Sequence, residues 1–149
     1  MSTRSRVAVM HGNVCKSIYV HSDGYLGYLG KVLNRYYDST KANFLIAQGD
    51  CSMVGKDIGE KIDFNERLTY DEDDIATQCR FYGRDRDEEG TEWQVDHSFE
   101  EFLDRVENCF GEYYYVMENG QWYCGSTSGI FKNRLVLLSE ALETETVEA

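Results

Sequence analysis

The sequence predicts an α+β fold: one domain, with a mostly antiparallel sheet and two or three helices packed on one face. Three observations predict it. Short apolar or alternating runs recur along the chain, each closed by turn residues, as strands require. Two longer stretches, starting at Tyr25 and Phe99, place apolar residues at helical spacing instead. The 149 residues are 42% hydrophobic and carry no Pro-rich or Ser-rich linker, which suits a single core. The domain is expected to span residues 1–142, with 143–149 as an acidic, flexible tail.

Taken in order, Val7 to Met10 reads as a strand, His11-Gly12-Asn13 as a turn, and Ser17 to His21 as a second strand. Asp23 is placed to cap a helix, with Gly24 easing entry. Tyr25, Tyr28, Leu29, Val32, Leu33 and Tyr36 then form one helical face. Ser39 or Thr40 begins a short second helix through Ala47, stopped by Gly49. Residues 50–76 read as an excursion with a solvated acidic loop at Asp71 to Asp74.

Thr77 to Tyr82 alternates as a strand, and Thr91 to Val95 as its returning partner across a charged turn. Ser98-Phe99-Glu100-Glu101 has the form of a capping box: the Ser hydroxyl takes an orphan N–H while the Glu reaches back. Behind it Phe99, Phe102, Leu103, Val106 and Phe110 form an apolar stripe ending at Gly111. Asn119-Gly120 suits both left-handed positions of a tight hairpin, joining Tyr113–Met117 to Gln121–Cys124. Leu135 to Leu138 reads as an edge strand leading into a frayed helical turn.

Charge and cysteine usage narrow the function. A net charge of −12 repels nucleic acid and anionic membranes, so no direct nucleic-acid binding and no membrane association are expected. The acidic surface suits solubility, a basic protein partner, or mimicry of a nucleic-acid backbone. The five cysteines are odd in number and form no Cys-x-x-Cys pair, as expected of reduced, mostly buried thiols. No metal site, no cofactor and no catalytic residue is expected from these patterns, since nucleophile, phosphate-loop and dinucleotide signatures are missing. The basic N-terminus lacks the apolar core of a signal peptide, and no apolar run is long enough to span a bilayer, so the cytoplasm is the expected compartment.

Three constellations could carry binding. His21-Ser22-Asp23 could hold a metal or relay a proton at a strand end; its structural reading has Asp23 as cap and His21 hydrogen-bonded in the sheet. Arg80, Tyr82 and Arg84 share one face of a strand, with Arg86 following. Guanidinium forks take phosphate bidentately and a ring stacks on a base, so this edge could contact a nucleotide. Its alternative is local pairing of Arg84 and Arg86 with Asp85, Asp87, Glu88 and Glu89. Finally, Tyr113-Tyr114-Tyr115 with Trp122-Tyr123 puts rings on both faces of one hairpin; Tyr113 and Tyr115 could form an exposed aromatic surface opposite a core face.

The order Ile18-Tyr19-x-His21-x-Asp23-Gly24-Tyr25, then Gly30 to Tyr36-Tyr37, then Leu45-Ile46-x-x-Gly49-Asp50-x-Ser52 resembles a group of small uncharacterised bacteriophage and prophage proteins. Arg84-Asp85-Arg86, a Phe-rich helix and the Tyr113-Tyr114-Tyr115 … Asn119-Gly120-Gln121-Trp122-Tyr123 hairpin extend the likeness over residues 17–138. Leu26 stands where such proteins often have Pro. The resemblance implies a phage-encoded accessory role in the host cytoplasm. The expected activity is binding and inhibition of a host protein of defence or transcription, with a homo-oligomer possible. The alternative is a small-ligand binder that sequesters a nucleotide signal through the Arg–aromatic edge and the His21–Asp23 corner.

Overall fold

Val7 and Val9 point to one side of β1 (Ser5–His11) and Ala8 and Met10 to the other, and both sides are buried. That pair of facts organises the molecule. The computed structural model describes residues 3–128, 132 and 134–148; Met1, Ser2 and the last residue of the acidic tail, Ala149, lie outside them. Among the described residues, eight strands form one sheet. β1 turns through Gly12 into antiparallel β2 (Val14–Val20). Its other side pairs in parallel with β6 (Tyr113–Glu118), which the Asn119-Gly120 turn joins to β7 (Gln121–Ser126). β8 (Val136–Leu137) closes that end.

The free side of β2 is shared. Near Cys15–Ser17 it pairs with β5 (Gln94–Asp96), and at Val20 with β3 (Cys51–Met53), which in turn carries β4 (Arg80–Phe81). Five of the seven strand pairings are antiparallel, so the sheet is of the mixed, mostly antiparallel kind the sequence predicts.

The helices depart from expectation in number and placement. A π-helical turn (Leu26–Gly30) runs into α1 (Lys31–Tyr36), followed by α2 (Ser39–Ala47). A single turn, α3 (Tyr82–Arg86), follows β4; α4 (Phe99–Asn108) precedes β6, and α5 (Leu138–Glu148) ends the described chain. Among the described residues five α-helices replace the two or three expected, and they do not share one face. Leu29, Val32, Leu33, Leu45, Leu138 and their neighbours cover the first face of the sheet. On the second face, Phe102 and Val106 of α4 pack on Ala8, Met10, Cys15, Tyr114 and Val116. The reason lies in β1 itself: both sides of its apolar run need cover, so a second layer is required.

Local signals fared unevenly. Ser98 caps α4, accepting from Glu101 N at 3.1 Å, while the Glu101 carboxylate takes His97 N at 2.8 Å. Asp38, rather than Ser39 or Thr40, caps α2 by accepting from Lys41 N at 2.8 Å. Asp23 caps nothing. It adopts φ 54°, and Tyr25 holds the N-cap position without a side-chain bond. The Asp-Gly corner instead lets the chain pass beneath β1: Gly24 N donates to Thr3 O at 2.9 Å, and a Cβ on Gly24 would collide with Ser5 Oγ. Phe110 leaves the α4 stripe as well, with φ 60° and 74% exposure. The expected hairpin between residues 77–82 and 91–95 does not form, since β4 pairs with β3 and β5 with β2.

Candidate functional site

α4 covers only part of the second face, where Arg105 grips the buried Asp96 of β5 with two bonds of 2.9 and 3.0 Å. Past the end of α4 the same face turns polar. Arg6, paired with Tyr19 across the β1–β2 ladder, is 4% exposed and donates from Nε to Ser17 Oγ at 2.9 Å and from Nη2 to Ser17 O at 3.2 Å. Burial lowers its pKa, opposed by Cys109 and Asp50 nearby. Tyr19 Oη and His21 Nδ1 are hydrogen-bonded at 2.7 Å, with the rings edge-on.

Asp50 joins this corner to the next strands. Its carboxylate accepts Tyr19 N at 2.9 Å and its carbonyl accepts Tyr82 N at 3.2 Å. Burial raises the Asp50 carboxyl above its ordinary value, with the Tyr19 amide and Arg6 opposing. Burial likewise raises the phenols of Tyr19 and Tyr82, opposed by Arg4 at the first and by Ser52 at the second.

Beside Tyr82 stands a ladder of arginines and rings. The Arg86 guanidinium lies 4.5 Å from the Phe64 ring centre and 4.9 Å from that of Tyr82. Arg80 lies 5.5 Å from Phe64, and the two rings stack at 5.4 Å and 30°. Arg80 Nη2 donates to Glu66 O at 2.7 Å, whereas its buried Nε finds no acceptor among the described residues. Arg86 pairs with Glu88, and both side chains are about half exposed.

The arrangement follows from where β4 stops. After two strand residues the chain enters α3, and helical spacing sets Arg86 over Tyr82 at i, i+4 while turning Arg84 away. The strand face expected of Arg80, Tyr82 and Arg84 therefore breaks at Arg84. Arg84 forks onto both oxygens of Asp85 at 2.9 and 3.1 Å and donates to the carbonyls of Ile58, Gly59 and Cys79 at 2.9, 3.0 and 3.0 Å. Asp85 in turn accepts Phe81 N at 2.8 Å and Ile62 N at 3.0 Å. The pair is a clamp on the excursion.

The tyrosine hairpin also differs from its exposed reading. Tyr115 is fully buried in the first core and donates to Gly24 O at 2.8 Å, Tyr113 packs half-buried against that core, and Tyr114 fills the second. Three consecutive rings are accounted for by two cores. Asp23 does not join His21, whose ring partner is Tyr19. Among the described residues no group of three His, Cys, Asp or Glu side chains could hold a metal ion, and no helix is long and apolar enough to cross a membrane.

Of the residues singled out from sequence, Arg80, Tyr82 and Arg86 come together, with His21 one strand away through Asp50; Arg84, Tyr113, Tyr115 and Asp23 do not join them. Sequence reasoning missed Phe64, Tyr19, Asp50 and Arg6. For Asp50 a signal existed, an acidic residue directly after the helix-stopping Gly49; for Phe64, inside the excursion, there was none. Chemically, Arg80 and Arg86 lie against ring faces, and guanidinium N–H groups take carboxylate oxygens, as Arg86 does from Nε and Nη2 toward Glu88, or phosphate oxygens. Compared with known proteins, the chain matches no family model, no curated protein and no solved structure.

Proposed function

We propose that this is a phage-encoded accessory protein of the host cytoplasm that binds and inhibits a host protein of defence or transcription, with Arg80, Phe64, Tyr82 and Arg86 at the centre of contact. The observation that carries this reading is the ladder itself: two guanidiniums held on two stacked rings. Arg and Tyr are enriched at interface hot spots, where they combine apolar area with directional bonds. The exposed Phe110 at 74% and Phe44 at 59% add apolar contact area elsewhere on the surface. The phage setting rests on the motif resemblance.

Affinity purification from infected cells tests it, using wild type and Arg86→Ala as baits at low and high salt. One stoichiometric partner is expected on wild type, reduced by salt and at least tenfold by Arg86→Ala. Equal recovery on both baits, or no partner at any salt, refutes the reading.

A second reading, capture of a small phosphorylated ligand, is favoured by one feature: Arg80 Nε lacks an acceptor and Arg86 has only an exposed glutamate partner. Exposed pairs of that kind are weak, so a phosphate could displace Glu88. Thermal-shift titration with nucleotides separates the two: stabilisation lost in Arg80→Ala supports this second reading, and no stabilisation by any of them removes it.

A further inference from the structure

Arg84 and Arg105 each hold a carboxylate of their own, Asp85 and Asp96. Arg6 is buried more deeply than either, yet it makes no ion pair among the described residues. Its acceptors are both on Ser17: the hydroxyl takes Nε and the carbonyl takes Nη2. Nη1 has no acceptor there and remains open to solvent, unlike Arg80 Nε, which is sealed. Asp50 does not make up the missing charge. One of its oxygens holds Tyr19 N, and burial pushes its carboxyl toward the neutral form. The end of α4 does not supply it either, since the carbonyls of Arg105, Val106 and Glu107 take the amides of Cys109, Gly111 and Phe110. A buried cation without a counter-charge is costly, and an apolar residue would serve packing better.

The same corner gathers further donors. Tyr19 lies opposite Arg6 in the β1–β2 register, and His21 follows two residues later, a diagonal that long side chains span. With the Tyr19 phenol donating to Nδ1, the His21 ring hydrogen lies on Nε2, which has no acceptor among the described residues. Arg4 precedes Arg6 by two residues and opposes burial in setting the Tyr19 phenol. Its guanidinium lies 5.9 Å from the ring centre of Phe110. Phe110 is exposed and held at φ 60°, a backbone conformation that bulky residues avoid and that concentrates at functional sites. We propose that Arg6, Arg4 and His21 form an oxyanion site for a phosphate group, free or carried as a monoester, with Phe110 as an apolar wall at its rim. A tetrahedral phosphate has oxygens enough to meet Arg6 Nη1, the His21 Nε2 hydrogen and the Arg4 guanidinium together, and it brings the counter-charge that Arg6 lacks. The site is separate from the Arg80–Arg86 ladder and does not depend on it.

The test is an NMR titration of the full chain with inorganic phosphate, chloride holding the ionic strength constant. Saturable shifts are expected at the His21 ring and at the amides of Arg6 and Tyr19. Arg4→Ala and His21→Ala should each weaken binding about tenfold, the loss of one charge-assisted hydrogen bond. Arg6→Met should abolish it. Phenyl phosphate is the second probe: tighter binding that Phe110→Ala removes assigns the site to monoesters, and equal binding assigns it to the free anion. The proposal is overturned if phosphate gives no saturable shift at His21, or if the Arg4 and His21 variants bind as wild type does. It is overturned as well if Arg80→Ala abolishes the response, which would put the anion on the ladder. Should Arg6→Met not fold, the two rim variants decide the matter.

Discussion

Replacing Arg84 with alanine removes the guanidinium that closes the excursion, and its effect can be worked from the clamp. The Asp85 side chain is 0% exposed and that of Arg84 is 15% exposed, so the ion pair is shielded from water. Breaking a buried pair by deleting one partner costs about 3–5 kcal/mol, because the remaining charge is left in a poor environment. Here the amides of Phe81 and Ile62 still solvate the carboxylate, which favours the lower end, about 3 kcal/mol. Three carbonyls also lose their donor, though water can reach the exposed Gly59. For a chain of 149 residues the loss corresponds to a melting temperature lower by about 10 °C.

The clamp also has a pH signature. Arg84 leads the interactions that hold the Asp85 carboxyl below the usual carboxylate range, with the two amides assisting against burial. A depressed carboxyl stabilises the fold fully above its unfolded pKa, about 4, and loses that contribution as pH falls through the folded value. The gap between wild type and Arg84→Ala should therefore be widest at neutral pH and narrow in acid. Arg84→Lys restores charge without the fork and should recover about half of the gap. Calorimetry at several pH values reads all three. A loss under about 3 °C, or a gap independent of pH, refutes the clamp and returns Arg84 to the binding surface.

Asp85→Asn should cost about 3 kcal/mol at pH 7 and Asp50→Asn less than about 1 kcal/mol in denaturant titrations, since the fold favours the charged form of the first and, through burial, the neutral form of the second. Arg86→Ala should leave the melting temperature within about 3 °C of wild type while removing partner capture, because its ion pair is half exposed. Tyr115→Phe should cost about 1 kcal/mol in the same titrations, the net worth of its bond to Gly24 O. Gly24→Ala should cost about 1–3 kcal/mol, since the added carbon meets Ser5 and lies 2.8 Å from the Thr3 carbonyl oxygen.

What the sequence made legible was local. The Asn119-Gly120 hairpin and the Ser98 cap each depend on a few adjacent residues, and both form as read. The second helical layer was written in the unbroken apolar run Val7-Ala8-Val9-Met10, which demands burial on both sides; read only as a short strand, it gave no count of layers. The Arg80–Arg86 stretch failed on period. Alternation to Tyr82 resembled a strand, yet strand pairing lasts two residues, and the switch to helical spacing decides which arginines meet. Phe64 joins the ladder from an excursion that carries no periodic signal, so only tertiary structure could supply it.

The parallel pairing of β1 with β6 has a consequence for how the chain reaches this state. β1 and β2 can pair as soon as their turn is made, but Arg6 meets Tyr114 only after more than two thirds of the sequence has been synthesised. Until then one long edge of the nascent hairpin carries unpaired backbone groups and the valines of β1 lack part of their cover. Distant pairings of this kind close slowly, because the intervening chain must be ordered before the contact rewards it. The N-terminal half is thus committed to waiting. A chain truncated before Tyr113 should behave as a sticky fragment rather than a smaller domain, and refolding should be limited by docking of the β6–β7 hairpin onto a preformed N-terminal one.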